Sequence, residues 1–413
     1  MITTLKELFE KVAGCQAVSV VKLSGDGSNR SYYRMCAGDV SLIGVVGTCV
    51  EENAAFVAMS ECFLACGVDA PRVLASSADG LCYIQEDLGD MSLFTYMKES
   101  RDAGCFAQRD MEMLCRIMSL LPRIQFEVPK KLDFSICYPV AAFDRRTVMW
   151  DLNYFKYCFL KGVGVEFNES LLEDEFEKMA TLLLNDNENT FMYRDFQSRN
   201  VMIHDGCPFF IDFQGGRRGP IYYDVASFVG QARACYTPQA VDKMIDAYLC
   251  ALAEYRPMKR DAFVRVLTVF RVFRLLQNLG TYGFRGLYEH KKAFVETIPG
   301  ALAQLMEQLA ELQGEFPYMA RLVAEIAALP MFVKLQSKEL TVDVMSFSYR
   351  RGIPDDYSGN GGGFVFDCRA IHNPGRYEPY KKLCGMDKPV IEFLEKESDI
   401  AAFLEKLSLP RLS

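Results

Sequence analysis

Histidine is scarce in this 413-residue chain, with three in all, and no two of the fifteen cysteines stand at Cys-x-x-Cys spacing. That argues against a Cys/His zinc site, and the odd cysteine count argues against a disulfide framework. The thiols fall mostly inside apolar runs and read as small hydrophobes of a reducing compartment, so a cytoplasmic protein is expected. Long hydrophobic runs are missing too. Nothing approaches 18 uninterrupted apolar residues, which predicts no membrane span. Positive charge is in the minority, 46 Lys and Arg against 54 Asp and Glu for a net −8. Such a chain has no global attraction for nucleic acid or an anionic membrane, although a local patch remains open to it. The first 22 residues carry acids in an amphipathic helical pattern, Leu5, Leu8, Phe9 and Val12, and do not read as a signal peptide.

The composition that remains is ordinary globular, and the length predicts two or three domains at roughly 100–200 residues each. Residues 1–90 are β-rich. Val18–Leu23, Ser31–Met35 and Ser41–Val50 have strand composition, and Ala55, Phe56, Met59 and Phe63 mark one helix that Gly67 closes. Arg72–Ala75 and Leu81–Gln85 flank Ala78-Asp79-Gly80 as a hairpin. Residues 91–329 are mainly helical by period, at 107–121, 170–184, 238–255, 260–278, 300–313 and 316–328, with Ser170 and Glu173 offering a capping box. Residues 330–413 form a third region, with a strand candidate at 340–348, glycines at 359–363 and the apolar Phe364-Val365-Phe366. The stretch 330–363 also reads as a flexible linker.

The chemistry concentrates between residues 191 and 214. Metal-assisted phosphoryl transfer needs one group to accept the acceptor hydroxyl's proton and others to hold the metal against the phosphates. Asp195 and Asn200 have the spacing of a kinase-like catalytic loop. Asn200–Ile203 and Pro208–Asp212 are two short apolar strands joined through Asp205-Gly206, a hairpin turn that folds Asp212 back beside Asn200. Upstream, Gly25-Asp26-Gly27-Ser28-Asn29-Arg30 between strands reads either as a phosphate cradle with a cation or simply as a turn. Tyr83–Gly89, with Glu86 and Leu88, reads either as an adenine-binding connector or as an interlobe linker.

These segments resemble the aminoglycoside phosphotransferase family of the protein-kinase-like fold. The resemblance rests on Gly-Asp-Gly-Ser-Asn-Arg at 25–30, Gln-Glu-Asp-Leu-Gly at 85–89, Tyr-Arg-Asp-Phe-Gln-Ser-Arg-Asn at 193–200 and Ile-Asp-Phe-Gln-Gly-Gly at 211–216. They fall in order over about 1–328. With Gly219–Ser227, the segments look most like the sugar kinases that phosphorylate the anomeric hydroxyl of N-acetylmuramate and N-acetylglucosamine in cell-wall recycling. The resemblance implies an α+β bilobal fold with a small β-rich N-lobe at 1–90 and a helical C-lobe at 91–329. It implies ATP (or GTP) and Mg2+ as cofactors, Asp195 as base, Asn200 and Asp212 as metal ligands, and Gly27, Ser28, Asn29, Arg30, Glu86 and Leu88 at the nucleotide. Arg194, Gln197, Gln214 and Asp224 would support the loop, Asp224 as a buried brace, a helix cap or both. The usual strand lysine is absent from Ser41–Cys49, which leaves Arg30 and Arg34 as candidates to hold the phosphates and keeps a non-catalytic regulator as the alternative. An aminoglycoside or choline kinase is the other alternative. For a sugar acceptor the helical lobe offers Asp144, Asp151, Asn153 and Tyr154, which also read as a polar helix face.

The tail resembles the C-terminal domain of RapZ-type proteins, a sugar-phosphate sensor of α/β type. The carrying segments are Ser346–Pro354, Phe364–Arg369, His372-Asn373-Pro374 and Leu383–Val390. The chain stops at Ser413, before the family's Gly-rich phosphate loop, so a truncated α/β domain over 330–413 is expected. Asp367, Arg369 and His372 would face a sugar-phosphate ligand, or else form an ion pair and a turn cap. Residues 331–413 hold 12 basic and 12 acidic side chains, so an RNA partner is not carried over.

Overall fold

The structure is a computed structural model that describes residues 1–23, 30–186, 189–312, 314–336, 344–353 and 364–408. The chain divides into two compact units, Met1–Met345 and Ser346–Ser413.

The first unit begins with a helix, α1 (Ile2–Ala13), and an antiparallel sheet in the order β1-β2-β3-β5-β4. Its strands are β1 Ser19–Lys22, β2 Ser31–Ala37, β3 Val40–Val46, β4 Val73–Ser76 and β5 Cys82–Glu86, with α2 (Val50–Ala65) between β3 and β4. Alternation gives the sheet two apolar faces. Leu42, Cys82 and Ile84 meet Leu5, Leu8 and Phe9 of α1. Ile43, Val45 and Tyr83 join the main core with Ala55, Phe56, Met59 and Phe63 of α2. A side chain at Gly44 would stand 2.9 Å from Met35 Sδ and 3.0 Å from Leu5, so glycine there lets α1 lie close to the sheet.

Beyond residue 90 the unit is mainly helical, and every expected period lies on a helix: Gln108–Glu127, Glu169–Leu184, Pro238–Leu252, Arg260–Tyr282, Ile298–Glu311 and Pro317–Ala327. The cap before Leu172 is Asn168, which accepts from the Leu171 N–H, and not Ser170. Asn168 offers the same side-chain acceptor two residues earlier, and Glu173 is then left to pair with Lys156. Arg145–Phe155 is a further helix, opened by a full capping box of Asp144 and Thr147. Small β elements interrupt the helices: β6 (Phe191–Met192) pairs with β9 (Arg217–Arg218), and β7 (Val201–His204) with β8 (Cys207–Phe210). Among the described residues no helix is long and apolar enough to cross a membrane.

Two expectations about the tail change. The segment after Pro330 is no linker at its start, because Pro330–Gln336 is a helix of the first unit. Phe332 is fully buried there, with its ring 6.3 Å from Phe159. The described residues of the second unit hold no strand. They form short 3-10 turns and two helices, Lys388–Glu397 and Ile400–Ser408. Phe364-Val365-Phe366 lies outside any ladder, as does the described part of the 340–348 candidate. A strand needs a paired neighbour for its backbone groups, and no second strand is described here.

Candidate active site

The site is built on a sharp bend after β6. The Asp224 carboxylate, fully buried near the start of helix Tyr222–Val229, accepts hydrogen bonds from the Tyr193 and Arg194 N–H groups, each at 2.8 Å. Those bonds hold Arg194 in left-handed backbone, φ 76°, which a non-glycine residue adopts only when its surroundings compel it. Burial pushes the Asp224 carboxyl up to about 7, against the pull of the two N–H donors. Asp224 is thus a brace of the loop and not a helix cap: the helix starts after Ile221 with no side-chain cap, and both carboxylate oxygens are taken by the loop N–H groups.

The bend presents Asp195 to a cavity of about 840 Å³. Its carboxylate accepts no hydrogen bond from any described residue, while its backbone oxygen accepts one from Asn200 Nδ2 at 2.8 Å. The same Nδ2 donates to Asp212 Oδ2 at 3.1 Å, and Gln214 Nε2 donates to Asp212 Oδ1 at 2.8 Å. The turn between β7 and β8 makes this meeting happen: Asp205 and Gly206 both have positive φ, 49° and 74°, as a two-residue hairpin turn requires. Asp212 is itself left-handed at φ 65°, with Phe213 packed between Phe56 (4.8 Å) and Phe63 (4.7 Å) of α2. Asp195, Asn200 and Asp212, singled out from spacing, are therefore brought together. Gln197 lines the same cavity.

Burial first, and then the negative charge of Asp195, push the Asp212 carboxyl upward. A bound cation would relieve that repulsion. The donors here are hard oxygens, and Gln214 Oε1 is buried beside Asp212 without a partner, so the residues fit a magnesium ion. Among the described residues no cluster of three His, Cys, Asp or Glu side chains forms a metal site.

Gly27, Ser28 and Asn29 lie outside the described residues. Arg30 is 5% exposed, ion-paired to Glu52 of α2 at 3.3 Å, and close enough that its charge pulls Asp212 back down. Arg34 is committed elsewhere, donating to Asp87 at 2.7 Å and Asp90 at 2.9 Å. Those bonds tie β2 to the interlobe connector. Glu86 accepts from the Arg72 N–H at 3.0 Å; Leu88 is buried, with its carbonyl 3.3 Å from His204 Nδ1.

Of the candidates for the acceptor pocket, Asp151 and Tyr154 line the cavity, with Asp151 accepting from Gln277 Nε2 at 2.8 Å. Asp144 is occupied as a helix cap, and Asn153 is not part of the lining. Sequence reasoning missed the rest of the wall. Arg271, Arg274, Asn278, Thr281 and Arg285 recur at three- and four-residue spacing through the helix from Arg260 and its continuation, a polar stripe in an otherwise apolar run.

In the second unit Asp367 and Arg369 face each other at 2.8 Å, and the pair holds the Asp367 carboxyl down at about 2. His372 is engaged apart from them, 2.9 Å from Tyr377 Oη and 2.9 Å from the Glu397 carbonyl. Among the described residues no hydrogen bond joins His372 to Asp367 or Arg369.

Residues 20–260 match the model of the phosphotransferase enzyme family. The chain belongs to that family. Residues 340–410 of this phosphotransferase match a second family model, the RapZ C-terminal domain. It is 24% identical over 337 residues to an N-acetylmuramate/N-acetylglucosamine kinase of Pseudomonas aeruginosa, covering 79% of this chain and 94% of that protein. A kinase of the same name from Neisseria meningitidis is 25% identical over 62% of this chain and 77% of its own length. A nucleotide-binding protein of Albidiferax ferrireducens is 32% identical over 123 residues, 29% of this chain and 38% of that protein. Among solved structures, choline kinases from Cryptosporidium parvum (TM-score 0.53, 12% identical, 78% of this chain and 99% of that one) and Streptococcus pneumoniae (0.52, 13%, 75% and 99%) share the fold. The fold is protein-kinase-like, of α+β class.

Proposed function

We propose that this phosphotransferase moves the γ-phosphate of ATP, or of GTP, to the anomeric hydroxyl of an amino sugar. The observation that carries the reading is Asp195, a carboxylate that faces a cavity with its acceptor capacity unspent while Asn200 and Asp212 stand behind it. Asp195 orients the hydroxyl and takes its proton as the new O–P bond forms. Asn200 and Asp212 would hold Mg2+, which supplies charge neutralisation at the phosphates. Arg30, held by Glu52, takes the part of the missing strand lysine, since Arg34 is spent on Asp87 and Asp90. The nucleotide is assigned to residues 27–30 and to the connector at Glu86 and Leu88. Arg194, Gln197, Gln214 and Asp224 support the loop. Asp367, Arg369 and His372 satisfy one another or their neighbours, and the reading gives them a structural role.

The sugar acceptor follows the two relatives named N-acetylmuramate/N-acetylglucosamine kinase. The test is coupled ADP release by the pure chain with N-acetylmuramate, N-acetylglucosamine, hexoses, choline and kanamycin. Turnover with an amino sugar, lost in Asp195→Asn, is the expected result. Retained nucleotide binding with no turnover on any acceptor would make the chain a regulator instead, and turnover confined to choline or kanamycin would transfer the reading to a cationic acceptor.

A further inference from the structure

One polar side chain of the five-stranded sheet is buried with nothing to bind. Gln85, near the end of β5, is 8% exposed, and neither the oxygen nor the nitrogen of its amide makes a hydrogen bond with any described residue. Alternation along β5 sets which way it points. Cys82 and Ile84 pack with α1 while Tyr83 packs with α2, so Gln85 shares the face of Tyr83. Its ladder partner Ile43 packs on that same side. This face looks towards the phosphate-handling residues, because the charges of Arg30 and Asp212 both act on the Tyr83 hydroxyl. Glu86 and Leu88, to which the nucleotide is assigned above, follow Gln85 in the connector.

An apolar side chain would fill this place without penalty, whereas a buried amide left unanswered is costly. The chain thus keeps a donor and an acceptor side by side at the start of the connector. Adenine and guanine differ in what they return to such a pair. Adenine offers a donor at N6 beside an acceptor at N7, and answers both groups of a glutamine; guanine offers two acceptors, O6 and N7, and leaves the amide oxygen facing no donor. We infer that Gln85 reads the base and makes this phosphotransferase selective for adenine over guanine nucleotides. The inference rests on the reading that seats the nucleotide at the connector, and it narrows the choice between ATP and GTP that the reading leaves open. A site built to bond both atoms rejects the base that lacks one of them, because its own buried group then stays unpaired.

The test is calorimetric binding of ADP, GDP and IDP to the full chain, which needs no acceptor. ADP should bind more tightly than GDP by on the order of tenfold to a hundredfold, the worth of one bidentate base contact. IDP carries an oxygen where adenine has N6 and lacks guanine's 2-amino group, so it should bind like GDP. Gln85→Met, of similar length but with neither polar group, should bring the ADP-to-GDP ratio towards one, chiefly by weakening ADP. Its melting temperature without nucleotide checks that it is folded. Equal affinity for ADP and GDP, or a ratio that folded Gln85→Met leaves unchanged, overturns the inference and leaves the kinase reading standing. Should Gln85→Met not fold, IDP decides: affinity equal to that of ADP overturns the inference, and affinity equal to that of GDP upholds it. Adenine-selective binding without turnover on any sugar sinks the sugar-kinase reading and not this one. Binding of none of the three nucleotides overturns both.

Discussion

In the first unit Phe213 stacks on Phe56 at 4.8 Å and has no exposed surface, whereas in the second unit Phe364 is 78% exposed. The contrast extends to the charged residues that the sequence singles out. Asp195 stands in a cavity with no hydrogen bond to its carboxylate from any described residue, because Asp224 holds the backbone of Tyr193 and Arg194 before it, Asn200 holds its own carbonyl, and its side chain is left over. Asp367 has no such scaffold, and its carboxylate is consumed by the arginine two residues on. Among the described residues of the second unit, only Pro374 and Val390 are buried. A motif becomes a site where a packed interior stops its polar groups from satisfying one another; elsewhere opposite charges simply pair.

The strongest challenge to this contrast is Asp212→Asn. Turnover should fall on the order of a thousandfold, since an amide cannot oppose a metal's charge as a carboxylate does. The melting temperature should hold or rise, because burial and Asp195 both disfavour the charge that is removed. A melting temperature lowered as by a core truncation would make Asp212 part of the interior and not of a site.

Where the packed interior ends is sharpened by two truncations. Phe332→Ala should cost about 3–5 kcal/mol in chemical denaturation, as large-to-small changes at buried aromatics do. Removal of Ser346–Ser413 should leave turnover unchanged. An insoluble product from that deletion would show that the first unit needs the second.

Asp224→Asn probes the brace. It leaves one buried N–H without an acceptor, a cost of about 1–3 kcal/mol, and it abolishes a titration. In the fold the Asp224 carboxyl sits near 7, above its ordinary 3.8, so its favourable contribution is complete below about pH 4 and is lost as pH rises through 7. The wild-type advantage in melting temperature should therefore shrink between pH 5 and 8, and a gap that widens instead would mean that the N–H bonds outweigh burial.

The smallest effect belongs to the tail. Asp367→Ala should leave the melting temperature unmoved, because exposed ion pairs contribute little. A clear drop would mean that the pair is built into a core after all.

The sheet was legible because period-two alternation and the Asp79-Gly80 turn act locally, and β3, β4 and β5 stand where composition places them. The triad was legible because Asp205-Gly206 fixes the register of β7 on β8, and that register carries Asp212 to Asn200. Arg30 and Arg34 could not be told apart by sequence. Their fates depend on which long-range carboxylates face them, Glu52 for one and Asp87 and Asp90 for the other, and that follows from tertiary packing. The basic wall was missed although its spacing was visible, because a stripe of arginines on a helix faces solvent as readily as a cavity. Phe332 was hidden by the proline before it, which opens a helix as readily as it ends one.

The β7–β8 hairpin is bonded in several directions at once. Phe210 N–H donates to the Asp69 carbonyl at 2.9 Å on the sheet side, and Arg116 of helix Gln108–Glu127 donates to the Gly206 carbonyl at 3.3 Å. Ile203 N–H donates to Met91 of the connector at 2.7 Å. Mechanically, the hairpin is a fulcrum. If the sheet rocks against the helices as reactants enter and products leave, displacement grows with distance from these bonds, and Asn200 and Asp212 lie where it is least. The cleft can widen at its mouth while its chemistry stays in register.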